Sequence, residues 1–221
     1  MSFAIITPTR GDRPSFSNQY WNIINSQTVS PDDVILMNYE PESNKKDITQ
    51  RYRRGINKAI NKGHEFVLLW EDDDWYHPLY IEWMIDQWEK KGKPDIFGIE
   101  ETYYYNLNID GIMALKHPNR SSAFCTLIKL PYRSTFPPDD YVFFDVWLFK
   151  SNSRSSRTQV NISTTKFEDT IMAIGIKHNQ GLTGGKGHGT GKAYKTNRKW
   201  FEQNCLDYKI YDEIVDTLKV K

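Results

Sequence analysis

Phe66-Val67-Leu68-Leu69-Trp70-Glu71-Asp72-Asp73-Asp74-Trp75-Tyr76 is the stretch on which the fold turns. An unbroken apolar run of this length reads as a strand covered on both faces, the habit of strands sandwiched between helices. Four adjacent acids follow it at once, and aromatic residues resume behind them. Neighbouring carboxylates repel one another and burial raises the cost, so a fold keeps such a cluster at a strand end only with compensation. A hard divalent cation, Mg²⁺ or Mn²⁺, supplies it, because such ions prefer carboxylate and phosphate oxygens. The plain alternative, an acidic surface turn, fits poorly with acids that lead straight into Trp75-Tyr76.

Upstream, Ser2 to Thr7 reads as another buried strand, ended by Pro8 and followed by a loop through Gly11, Asp12 and Pro14. Phe16, Tyr20 and Ile23 fall at helical spacing and predict a helix from Ser15 to Ser26. Pro31-Asp32-Asp33 is a turn into a short strand, Val34-Ile35-Leu36-Met37. Ile48, Tyr52, Ile56 and Ile60 recur every four residues, an amphipathic helix that Gly63 ends. Downstream, Ile81, Ile85 and Trp88 mark a further helix and Ile96-Phe97-Gly98-Ile99 a further strand. Strands alternating with helices predict an α/β fold, a Rossmann-like, mostly parallel sheet flanked by helices.

Beyond Glu100 the pattern changes. Tyr103 to Leu107 and Ile112 to Leu115 read as a hairpin reversing at Asp110-Gly111. Asp145 to Phe149 opens a short helix, and Ile171 to Ile176 is a strand leading into a Gly-rich loop, Gly181 to Gly189. No repeat or linker divides the chain, so residues 1–221 are expected to form one domain.

The composition, 38% hydrophobic and 26% charged, is that of a globular protein, with no apolar run near the ~20 residues of a membrane span. Met1 to Thr7 reads as a strand rather than a signal peptide, and Cys125 and Cys205 as buried free thiols, which together predict a cytoplasmic protein. Net charge is +1, unevenly laid out: from Val146 to Phe201 the only acids are Glu168 and Asp169, against ten Lys and Arg. An anionic middle and a cationic tail suit a metal site facing a phosphate-binding wall, or equally a solvated basic surface.

Four ordered stretches resemble the family-2-like GT-A glycosyltransferases. Val67 to Pro78 resembles the family's Asp-x-Asp segment, and Ile5-Ile6-Thr7-Pro8-Thr9-Arg10 its first strand and nucleotide loop. Asn25 to Thr28 with Pro31 to Leu36 resembles the first helix end and second strand, and Arg54 to Ala59 the helix before the metal strand. The likeness covers about the first hundred residues. It implies a GT-A fold whose residues 1–100 bind a nucleotide-sugar, UDP-linked in the usual case, and whose residues 101–221 face the acceptor. It further implies that Pro8, Thr9 and Arg10 line the nucleotide, with Arg13, Asn38, Glu40, Arg54 and Asp72 as further donor contacts. Asp73 would ligate a Mn²⁺ or Mg²⁺ bridging the donor diphosphate, with Glu71 and Asp74 beside it. Two departures stand out. Asn38-Tyr39-Glu40 replaces the usual base-reading acid, and the first acid of the motif is the longer Glu71.

Lys177-His178 and the Gly-rich segment fit a flexible loop closing over the donor, with Lys186 against the diphosphate and, as the resemblance implies, His188 as a third metal ligand. The segment is not a P-loop, since Lys186 stands where the first Gly belongs and Ala193 where Ser or Thr belongs. A base is also needed. Phe144-Asp145-Val146-Trp147-Leu148-Phe149 resembles the family's acid at a helix start, and its aromatic neighbours would raise the pKa of Asp145 usefully. Asp169 is the second choice, since it leads directly into a strand. The implied activity is metal-dependent, inverting transfer of a sugar to an acceptor hydroxyl. An anionic acceptor such as modified DNA suits the basic tail. The competing readings are a nucleotidyltransferase and a non-catalytic sugar- or nucleic-acid-binding module.

Overall fold

The computed structural model describes residues 1–9, 14–39, 46–132, 136–152, 157–163, 170–178 and 194–219. Its centre is one ten-stranded sheet. Strand β1 (Phe3–Pro8), buried along its whole length, lies between β2 (Asp33–Met37) and β3 (Phe66–Leu69), parallel to both. The next neighbour of β3 is β7 (Thr126–Lys129), which runs antiparallel and separates β3 from β5 (Ile96–Asn106). β1, β2, β3 and β5 therefore all point the same way, with β7 opposed.

Helix α1 (Ser17–Asn25) buries Tyr20, Ile23 and Ile24, and α2 (Ile48–Asn61) buries Tyr52, Ile56 and Ala59. Gly63, at φ 82°, reverses the chain after α2 in the left-handed region that glycine adopts without strain. Helix α3 (Tyr80–Lys90) buries Tyr80, Ile81, Trp83, Met84 and Trp88. The two faces of the sheet carry separate cores, one around Phe66, Leu68 and Trp70, the other around Ile6, Tyr52 and Val67. Such alternation is what the period-2 side-chain geometry of β3 dictates.

Gly55 sets the distance between α2 and the sheet, because a β-carbon there would stand 2.5 Å from Ile6 Cγ2. Gly55→Ala is expected to lower unfolding free energy by about 1–3 kcal/mol in denaturant titration, since overpacking outweighs the ~0.5–1 kcal/mol gain in helix propensity. Unchanged or raised stability would show that the interface yields.

The long β5 serves two neighbours on each edge. Ile96–Gly98 pairs with β7 and Glu101–Asn106 with β6 (Gly111–Lys116), while β8 (Arg157–Ser163) and β9 (Ala173–Lys177) line the other edge in parallel. The expected hairpin is the β5–β6 pair, with Asp110 at φ 47° beside Gly111. β9 also pairs antiparallel with β4 (Trp75–Tyr76), which closes the acidic segment against the sheet. Helix α4 (Phe144–Ser151) matches the short helix expected there.

Past β10 (Lys195–Thr196), α5 (Arg198–Asn204) and α6 (Tyr208–Lys219) cover the far end, where Phe201 stacks on Tyr105 at 3.9 Å. Arg198 grips Asp212 through two hydrogen bonds of 2.7 and 2.5 Å, so part of the basic tail is neutralised within the fold. Both cysteines are buried and free. Among the described residues no helix is long and apolar enough to cross a membrane.

Candidate active site

The acids occupy the reversal between β3 and β4. Trp70 N–H still bonds Ile6 O of β1 at 3.0 Å, after which the chain leaves the sheet for Glu71 to Asp74. Two aromatic rings staple the reversal: Trp70 stacks on Tyr76 at 3.6 Å, and Tyr76 hydroxyl accepts the Glu71 N–H at 3.0 Å. Trp75 indole N–H donates to Asp207 Oδ2 at 2.8 Å, tying the segment to the approach to α6.

Glu71, Asp73 and Asp74 each bring a carboxylate oxygen within 4.8 Å of the other two. Asp73 and Asp74 are buried, at 5% and 2% exposure, whereas Glu71 and Asp72 are half-buried. Asp74 Oδ1 accepts the Ile176 N–H at 2.7 Å, while its Oδ2 is buried with no hydrogen-bond partner among the described residues. Burial pushes the Asp74 carboxyl well above the usual range, and Glu71 and Asp73 add to the shift against Lys177 and the Ile176 N–H. A buried oxygen without a donor, among like charges, is costly, and a divalent cation relieves both problems. The donor set of hard oxygens suits Mg²⁺ or Mn²⁺.

His178 meets Asp73 here. Its Nε2 lies 2.7 Å from Asp73 Oδ2, the residue is 3% exposed, and its ring lies against Phe16 at 4.5 Å. The expectation that Lys177 and His178 belong to a flexible loop is corrected. Lys177 ends β9, and its carbonyl accepts Leu107 N–H at 2.8 Å, so β-pairing fixes Lys177 while His178, just beyond the strand, meets Asp73. The pattern gave one hint, a His just past a buried strand, but which acid it reaches depends on β9 pairing with β4.

The opposite wall is the ends of β1 and β2. Thr9 N–H bonds Met37 O at 3.2 Å, and Arg51, 1% exposed, fastens the carbonyls around it. Its guanidinium donates to Thr9 O, to Met37 O at 2.6 Å, to Tyr39 O at 2.7 Å and to Asp47 Oδ2 at 2.8 Å. Tyr39 lies beneath two cations, with Arg51 4.3 Å and Arg54 4.8 Å from its ring centre. Pro8, Thr9, Asn38 and Arg54 thus gather at the strand ends next to β3. Asp72 acts on the hydroxyl of Tyr20, which bonds Thr7 Oγ1 at 2.9 Å.

The same frame occurs in a known protein. S. aureus TarS 1–349 in complex with UDP-GlcNAc matches with a TM-score of 0.54 over 82% of this chain and 60% of that chain, at 12% identity. The complex with UDP matches with a TM-score of 0.55 over 80% and 60%, at 11% identity. The fold is of the GT-A type. No protein-family model and no curated protein matches the sequence. The chain spans about 60% of the TarS 1–349 length it is compared with.

Within this GT-A-type frame Asp145 sits in the first turn of α4, half-buried, its Oδ2 held by Arg120 Nη1. Burial raises its carboxyl, with Arg120 opposing. Phe144 beside it stacks on Tyr52 at 5.1 Å, and the Tyr52 hydroxyl feels Glu71, Asp145, Asp74 and Asp73 together. Arg10, Arg13, Glu40, Asp169, Lys186 and His188 lie outside the described residues.

Proposed function

We propose that the chain transfers a sugar from a nucleotide-sugar, UDP-linked, to an acceptor hydroxyl, with inversion at the anomeric carbon. The observation that carries this reading is the triad Glu71–Asp73–Asp74, two of its acids buried and one Asp74 oxygen without a hydrogen-bond partner among the described residues, at the end of β3 in a GT-A-type fold. TarS, the neighbour in fold, has been solved with UDP-GlcNAc and UDP. The family-2-like motifs of the first hundred residues point the same way.

In this reading Glu71, Asp73 and Asp74 hold Mn²⁺ or Mg²⁺, and His178 orients Asp73 from behind. Bound there, the ion supplies positive charge against the leaving nucleoside diphosphate. Pro8, Thr9, Asn38 and Arg54 line the nucleotide, and the Arg51 clamp keeps their backbone in place. Asp145 removes the acceptor hydroxyl proton, its carboxyl raised by burial toward the range of a working base. Arg120 holds the carboxylate in one orientation.

Hydrolysis of UDP-sugars by the purified protein, dependent on Mn²⁺ or Mg²⁺, tests the reading; turnover of nucleoside triphosphates instead would favour a nucleotidyltransferase. Asp145→Asn is expected to lower kcat by roughly 10²-fold or more with donor affinity unchanged. A fully active Asp145→Asn would move the base elsewhere, Asp169 being the other candidate.

A further inference from the structure

Lys177 has no role in that scheme, yet its two chain neighbours hold the two buried acids. Ile176 N–H bonds Asp74 Oδ1 at 2.7 Å, and His178 Nε2 meets Asp73 Oδ2 at 2.7 Å. The Lys177 ammonium lies 5.1 Å from the Tyr104 ring centre. Among the described residues no carboxylate comes within ion-pair distance of it, although Asp74, Glu71 and Asp73 all act on it across longer range. Burial lowers its pKa, the three acids raise it, and the net shift is upward. β-pairing of β9 with β4 and β5 fixes this position, so the charge is part of the fold.

A cation carried on the strand segment that holds Asp74 and Asp73 has opposite effects on the two species the site is read as binding. It repels a free divalent ion, and it attracts the diphosphate that follows the ion in. We propose that Lys177 makes metal entry depend on the nucleotide: it weakens binding of the free divalent ion and strengthens binding of the nucleoside diphosphate once the ion is present. Asp74 Oδ2, without a hydrogen-bond partner among the described residues, is where a free ion would be drawn, and the ammonium would lower that pull without closing the site. This inference rests on the glycosyltransferase reading of the triad.

The test is a pair of titrations on the full chain, Mn²⁺ alone followed by electron paramagnetic resonance, and UDP at saturating Mn²⁺ followed by calorimetry. Lys177→Met keeps the aliphatic stem and removes the charge. It is expected to tighten Mn²⁺ alone and to weaken UDP, each by roughly tenfold or more. Lys177→Gln, polar and uncharged, repeats the measurement should Met prevent folding. Lys177→Arg keeps the charge and is expected to leave both affinities near wild type. A merely structural role would weaken both ligands together in Lys177→Met, and that result, or no change in either, overturns the inference alone. Wild-type protein that binds neither Mn²⁺ nor UDP overturns the glycosyltransferase reading and the inference with it.

Discussion

Asp73→Ala is expected to abolish the Mn²⁺-dependent rise in melting temperature that UDP confers, and to cut UDP-sugar turnover by 10²-fold, on the order of a lost charge-stabilising group. Asp73 belongs to the triad and is 5% exposed, so truncation removes a charged oxygen from a buried position. Truncation also removes the Asp73 Oδ2 that His178 Nε2 meets at 2.7 Å. Asp73→Asn separates charge from shape. It keeps a polar group facing His178 while removing one of three crowded negative charges, so the ligand-free protein should be no less stable than wild type. The ligand effect should be lost all the same. Full nucleotide affinity and activity in Asp73→Ala would mean that the metal site lies elsewhere.

The second large effect is expected at Arg51→Met, far from any reacting atom. Four acceptors lose the Arg51 guanidinium at once, Thr9 O, Met37 O, Tyr39 O and Asp47 Oδ2, of which Met37 O keeps the Thr9 N–H. Breaking a buried, hydrogen-bonded charge pair from one side costs about 3–5 kcal/mol, because the partner is left desolvated. In a domain of this size such a loss lowers the melting temperature by on the order of 10 °C. Arg51→Lys should recover little, since a single ammonium cannot reach carbonyls that the planar guanidinium fork spans. Where either variant folds, UDP affinity should fall too, because the released carbonyls shape the floor under Thr9 and Asn38. Urea unfolding within about 1 kcal/mol of wild type for Arg51→Met would show that the clamp is incidental.

These two residues differ in how far the sequence announces them. Asp73 stands among four acids after an apolar strand, a crowding of like charge that points to a ligand and is visible without coordinates. Arg51 sits in a helix among Arg53, Arg54 and Lys58, and its neighbours give no sign that it alone turns inward. The apolar period of α2 fixes which face is buried, but an arginine at the edge of that face is decided by carbonyls from β1 and β2. Similarly, the Val34 to Met37 strand and the helix ending at Gly63 were legible because apolar period and turn chemistry are local. β7, which enters between β3 and β5 from sixty residues downstream of β3, was not predicted, since its four residues carry no turn signal that ties them to that slot.

By itself, then, the sequence determined the parallel β1–β3 frame with its helices, the β5–β6 hairpin and the acidic reversal after β3, because each follows from contiguous residues with one apolar period. Only the tertiary structure decided what surrounds the acids. His178 lies 105 residues from Asp73 and the Ile176 N–H 102 residues from Asp74, and both contacts exist because β9 settles between β4 and β5 in one register. A shift of one residue would turn those groups to the other face of the sheet. Such a choice is made by the packing of whole strands against one another, and no local stretch of the chain contains it.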